Sequence, residues 1–176
     1  MKLSLFALRR LFIALILVLG ATSAAFAHEP YTRGTKNFGP KVGFVSRNTS
    51  ALGGLVFEYS LSRNVRLAPQ ASIIFRHKNL DGLVVDLDVQ FPLPFAGDRC
   101  AFYPLVGIGF TSWNKHGIAE GTNKDVSTHL NRFGGNAGAG IEMLCTPTFK
   151  VFFEAKYAII KTYPGAQISA GIAYVF

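Results

Sequence analysis

Cys100 and Cys145 are the only thiols of the 176-residue chain, and the chemistry open to such a pair is oxidation to a disulfide or service as two free sulfurs. A structural zinc needs four ligands, and no histidine stands near either cysteine in the sequence, so no metal is assigned. A second set is ionic: Glu58, Arg66, Arg76, Asp86, Asp88, Glu142, Glu154 and Lys156. Asp86 and Asp88 lie two residues apart, which puts both carboxylates on one face of an extended strand. That spacing mimics an acid/base pair, but it also suits two buried anions neutralised by Arg66 and Lys156.

The elements that must position these groups follow period two rather than helical spacing. Eight segments, 39–48, 55–62, 65–76, 82–91, 100–113, 131–145, 149–161 and 167–176, are each bounded by Gly, Pro, Asn, Asp or Ser. In the last, Ile168, Ala170, Ile172, Tyr174 and Phe176 alternate with Gln167, Ser169, Gly171, Ala173 and Val175. In 149–161, Val151, Phe153, Ala155, Tyr157 and Ile159 oppose Lys150, Phe152, Glu154, Lys156 and Ala158. The ionic set keeps to the second kind of face throughout. The segments 39–48 and 100–113 alternate less regularly.

Alternation by itself does not say which face is inside, because a soluble lipid-binding barrel would turn its apolar residues inward. Composition decides: the chain is 49% hydrophobic and 16% charged. Its polar faces are rich in Gly, Ala and Ser, too thin to coat a soluble protein but sized to fill a narrow eight-stranded interior. Aromatics gather toward the strand ends, Phe75, Phe110, Trp113 and Phe133 at one level and Phe91, Phe95, Tyr174 and Phe176 at the other, as interfacial girdles would. The expected fold is all-β, an eight-stranded antiparallel up-and-down transmembrane β-barrel. The ionic set then forms an interior polar network that plugs the barrel, with a polar path for solutes as the competing reading.

At the amino end, residues 1–27 combine Lys2, Arg9 and Arg10, an apolar run over 11–19, and Ala25-Phe26-Ala27. This reads as a signal peptide cleaved after Ala27, too short to span a bilayer as a helix. Residues 28–38 are a short periplasmic segment and 39–176 the barrel. Losing 27 of 176 residues and three cations leaves 149 residues and lowers the net charge from +8 to +5, a modest excess that does not call for nucleic acid. An even strand number puts both termini on the periplasmic side. The outer connections become 46–51, 77–81, 114–130 and 162–165, and the inner turns 62–64, 92–99 and 146–148. Only the loop that opens at Asn114 and closes at Leu130 is long, and it is the candidate site for an external ligand. Pairing the fifth and sixth strands across that loop with position sums of 245 sets Cys100 opposite Cys145, Phe110 opposite Gly135 and Trp113 opposite Arg132. A bridge there would close about 46 residues and stabilise by about 4 kcal/mol in the chain-entropy account.

Four stretches resemble a known family: Phe102-Tyr103-Pro104-Leu105-Val106-Gly107-Ile108-Gly109-Phe110, Phe133-Gly134-Gly135-Asn136-Ala137-Gly138-Ala139-Gly140-Ile141-Glu142, Glu154-Ala155-Lys156-Tyr157, and Gly171-Ile172-Ala173-Tyr174-Val175-Phe176. They are similar to the small porin-family outer-membrane β-barrel domains related to outer membrane protein X and to the transmembrane domain of outer membrane protein A. The resemblance covers essentially the whole mature chain. It implies the outer membrane of a Gram-negative-type bacterium, and it implies that Tyr174 and Phe176 serve the barrel-assembly machinery as a sorting signal. It does not specify an activity. The chain stops at Phe176 with no periplasmic peptidoglycan-binding module, so wall anchoring is not expected.

Lipid A-modifying barrels exist, which makes Ser127 and His129 with Asp125 or Glu120 the residue types to weigh for a hydrolase. They are close sequence neighbours, and His129-Leu130-Asn131 lacks the serine of the deacylase signature His-x-Ser-Asn, so no catalytic residue is assigned. His28 would need a second histidine nearby to brace a metal, and His77, His116 and His129 fall at the opposite end. At the outer end Arg47, Arg76, Lys78, Lys115, Lys124, Arg132 and Lys161 outnumber Asp81, Glu120 and Asp125. Arg47, Arg76, Lys78, Arg132 and Lys161 are therefore candidate contacts to lipopolysaccharide phosphates, alongside ordinary outer-membrane lipid. The expected function is a non-enzymatic barrel, without cofactor, that contributes to membrane integrity or cell-surface interaction; a narrow channel is the alternative and a lipid A enzyme ranks third.

Overall fold

The computed structural model describes residues 31–46, 49–77, 80–118, 125–160 and 164–176, with the backbone alone described at 115–118 and 125–129. Among the described residues nine strands follow one another: β1 Lys36–Val45, β2 Ser50–Ser62, β3 Val65–His77, β4 Leu80–Gln90, β5 Leu93–Phe95, β6 Cys100–Ile118, β7 Asp125–Thr146, β8 Phe149–Ile160 and β9 Gly165–Val175. All pairings are antiparallel. The ladder runs β4-β3-β2-β1-β9-β8-β7-β6, and β4 also pairs β6, so eight strands close into a barrel. The short β5 extends only β6, inside the stretch read from sequence as the inner turn 92–99.

The faces sort as period two requires. Odd positions of β1 and β6 and even positions of β2, β3, β4, β7 and β8 point inward, and so do Gln167, Ser169, Ala173 and Val175 of β9. Outside lies an apolar skin: Phe133 is 80% exposed, Val42 67% and Ile108 66%. Inside lie polar and charged side chains, many under 5% exposed. This inverts a soluble barrel, and it gives the apolar faces the lipid contact that membrane strands require.

Interior glycines supply the space for that filling. A Cβ at Gly140 would collide with the Tyr103 ring, one at Gly171 with the Phe152 ring, and one at Gly107 with the Asp88 carboxylate. Bulk on one strand is thus matched by a missing side chain on its neighbour, as close packing demands.

Three boundaries differ from the sequence reading. Strand β1 begins at Lys36 rather than at 39, because its end is hydrogen-bonded to Phe176 on one side while β2 pairs it on the other. The expected long loop 114–130 is mostly hairpin: β6 and β7 continue as a ladder through Lys115↔Thr128 to Ile118↔Asp125. Only 119–124 remain between them, outside the described residues. The β6–β7 register also differs by two, pairing Cys100 with Met143, Phe110 with Phe133 and Trp113 with Leu130.

Candidate functional site in the barrel interior

Two ionic clusters and an apolar layer fill the interior. Nearest the end where β1 begins and β9 finishes, Arg66 on β3 donates from both terminal nitrogens to Glu142 on β7, each at 2.9 Å, and from Nε to Gln90 at 2.7 Å. Its guanidinium also lies 3.3 Å from Glu58 and 5.2 Å from the centre of the Tyr103 ring. Lys150 on β8 reaches Glu58 at 2.5 Å and Glu142 at 2.6 Å, while Asn37 donates to Glu58 at 2.7 Å. Two cations face two carboxylates, all at most 3% exposed. Such charges persist in a barrel only when paired and hydrogen-bonded in this way.

One step further along the axis, Lys156 on β8 lies 2.5 Å from Asp86 and 3.0 Å from Asp88, both on β4, and 3.3 Å from the Gln70 side-chain oxygen. Asn136 on β7 donates to the same two carboxylates at 3.0 and 3.3 Å. Lys41 on β1 donates to Gln70, whose amide nitrogen turns to Asp88 and Glu154. Gln90 joins the clusters, accepting from Arg66 and donating to Glu154 at 3.3 Å. Lys156 and Asn136 are thus each committed to both Asp86 and Asp88, which ties the two carboxyl groups in place.

The ends of this column are closed differently. Tyr31, ahead of β1, is 6% exposed and lines a small pocket with Asn37, Arg66, Glu142 and Lys150. Burial, reinforced by the Glu142 carboxylate that its hydroxyl hydrogen-bonds, pushes its phenol well above the ordinary value. At the loop end, Val45, Leu52, Ile74, Val84 and Trp113 pack together inside the barrel, with Leu80 and Leu130 against them.

Of the interior residues expected from sequence, Glu58, Arg66, Asp86, Asp88, Glu142, Glu154 and Lys156 are all buried in these clusters. Arg76 is not: it keeps inward parity, but β3 carries it past the packed interior to the rim, where its exposed side chain meets Asp81 at 3.4 Å. The expected pairing is half altered as well, since Lys156 takes both aspartates and Arg66 takes Glu142 and Glu58 instead. Lys41 and Lys150 complete the clusters and were not among the expected members, although their inward parity was available. Trp113 is only 4% exposed and belongs to the interior layer rather than to a girdle. Phe110 and Phe133 do pair, 4.8 Å apart, and at the other end Tyr174 stacks on Phe176 at 5.9 Å and meets Phe149 at 5.2 Å.

The cysteines are free thiols. With Cys100 opposite Met143, Cys145 lies one diagonal step away, at a β-bulge between Leu144 and Thr146. Diagonal neighbours sit about 7–8 Å apart, beyond the roughly 4.4–6.8 Å between Cα atoms that a disulfide spans. Arg132 is half-buried at the rim and donates to the Asn131 carbonyl at 3.0 Å. Arg47, Lys78, Lys161, Glu120, Lys124, His28 and the whole segment 1–27 lie outside the described residues, as do the side chains of Lys115, His116, Asp125, Ser127 and His129. Among the described residues, no three His, Cys, Asp or Glu side chains converge as a metal site would require.

A family profile described as the outer membrane protein beta-barrel domain matches residues 12–176, starting within the segment read as a leader. No curated protein matches the chain significantly. Among solved structures, the chain is similar to the N-terminal β-barrel domain of Pseudomonas aeruginosa OprF, with 17% identity, 82% of this chain and 98% of that one covered, and a TM-score of 0.64. Neisserial surface protein A gives 11% identity, 81% and 96% coverage and a TM-score of 0.62. The attachment invasion locus protein Ail of Yersinia pestis gives 14% identity, 82% and 100% coverage and a TM-score of 0.60. At these identities the likeness is one of fold.

Proposed function

Because the chain belongs to the outer membrane protein β-barrel domain family, we propose that it is a non-conducting, non-enzymatic barrel that contributes to outer-membrane integrity or cell-surface interaction. The observation that carries this reading is that packed side chains block the interior at several levels along its length. Two ionic clusters occupy the middle, Tyr31 covers one end and the Trp113 layer the other. An ion entering would have to displace side chains that already satisfy one another. Purified protein in planar bilayers should therefore give no discrete current steps; steps of constant amplitude would favour the narrow channel instead.

Surface interaction falls to the loop end, which such barrels turn outward. Arg76 and Arg132 flank the long hairpin there, and with Arg47, Lys78 and Lys161 they offer cations to lipopolysaccharide phosphates. Gln at positions 76, 78 and 132 should lower the lipopolysaccharide that copurifies with the barrel. The hairpin 114–130 is the place for an external ligand. Residues 1–27 serve as the export leader in this reading, and amino-terminal sequencing of the mature protein, expected to start at His28, tests that. An unchanged lipid A mass profile in a deletion strain is expected of a protein without lipid A-modifying activity.

A further inference from the structure

Between the Trp113 layer and the Lys156 cluster lies a partly enclosed cavity with about 40 Å3 of room for water-sized molecules. Its roof is Val45, Ile74, Val84 and Trp113, and its polar wall includes Asp86, Asn136 and Gln167. The hydrogen bonds on that wall are mostly spoken for. Asp86 takes Asn136 on one oxygen and Lys156 on the other, and the Asn136 amide nitrogen is shared between Asp86 and Asp88. The exception is the amide nitrogen of Gln167, which has no partner among the described residues although Gln167 is only 7% exposed. A buried donor left in that state costs about 1–3 kcal/mol. A water needs about 10–15 Å3, so the cavity has room for about three.

We propose that this chamber is a binding site for water, held by the Gln167 amide beneath the Trp113 layer. The orphan group is a donor, so the guest must accept. Asp86, Asp88 and Glu154 outnumber Lys156 and Lys41 behind it, which disfavours an anion, and an N–H donor disfavours a cation. The paired charges below the chamber make it blind, so the site retains a guest rather than passing one through. It therefore stands beside the non-conducting reading and does not depend on its biological role.

The full chain, folded in lipid nanodiscs, tests this by nuclear magnetic resonance. Cross-relaxation between water and the Gln167 side-chain amide protons should reveal a long-lived water, and the volume-conserving Gln167→Met should abolish the effect at the neighbouring Asn136 amide. Trp113→Ala removes the roof and should speed exchange of that water at least tenfold; Trp113→Phe, a milder change, should speed it less and serves if the alanine variant does not fold. A wild-type chamber without the water signal overturns the proposal. So does a signal at Asn136 that survives Gln167→Met, or an exchange rate that both Trp113 variants leave unchanged.

Discussion

Replacing Lys156 with Met keeps most of the side-chain volume and removes one charge from the centre of the barrel. The ammonium lies 2.5 Å from Asp86 and 3.0 Å from Asp88, with its side chain 2% exposed. At an effective dielectric of about 20 the attraction to the nearer carboxylate alone is about 7 kcal/mol, a gross figure that desolvation largely offsets. What the substitution exposes is the residue of that balance: two carboxylates left buried with the neutral amides of Asn136 and Gln70 as their remaining donors. Breaking a buried pair in this way costs about 3–5 kcal/mol. With a urea slope of about 2 kcal/mol per molar, the unfolding midpoint in lipid vesicles should fall by about 2 M. Trp113, the single tryptophan, reports the transition from inside the barrel. Adding Asp86→Asn and Asp88→Asn to the same chain removes the stranded charge and should recover most of the loss. A Lys156→Met barrel within 1 kcal/mol of the parent, or a triple variant no better than the single one, would refute the view that charge pairing holds the interior.

Three further outcomes are expected. Gly140→Ala drives a methyl into the Tyr103 ring and should destabilise by about 1–3 kcal/mol, with Tyr103→Ala in the same chain relieving the clash but adding a cavity of its own. For the register, Met143→Cys with Cys145→Ser should crosslink to Cys100 under mild oxidant, whereas the parent should take up two alkyl groups without prior reduction, as shown by mass. For pH, the raised phenol of Tyr31 means that the unfolded chain ionises first, so the folded state binds more protons above about pH 10 and its stability falls there. Below that pH the contribution of Tyr31 is fully present. Tyr31→Phe should flatten this part of the stability curve relative to the parent, measured by urea unfolding between pH 8 and 11.

Fold and filling were legible in the sequence wherever a strand kept strict alternation. β8 and β9 did so, and the inward placing of Glu154 and Lys156 followed at once. Strand β6 did not, because its inward face carries Gly107 and Gly109, whose missing side chains leave period two without contrast. That is how Trp113 came to be grouped with Phe110: residues three apart lie on opposite faces of a strand, and only Phe110 belongs to the outer side. The register error has another cause. A slip of one residue would have exchanged inside for outside and betrayed itself, but a slip of two preserves every face, so the hydrophobic pattern cannot distinguish Cys145 from Met143 as the neighbour of Cys100. Only packing across the sheet, such as Phe110 against Phe133, sets it. Arg76 shows a third limit, since parity says which way a side chain points but not whether the strand still has an interior beside it.

The ionic contacts also bear on the order of assembly. Arg66 and Glu142 are 76 residues apart in the chain, Glu58 and Lys150 are 92 apart, and Gln70 and Glu154 are 84 apart. Neighbouring strands can zip through short turns, yet none of these partners meets until opposite walls have been brought around to face one another. Until then the pairs between neighbouring strands, Glu58 with Arg66 and Glu142 with Lys150, supply only part of the compensation these charges need. The incomplete sheet is therefore discouraged from sinking into lipid, and the interior is fully paired only in the finished ring, so insertion and closure should behave as one late, cooperative event.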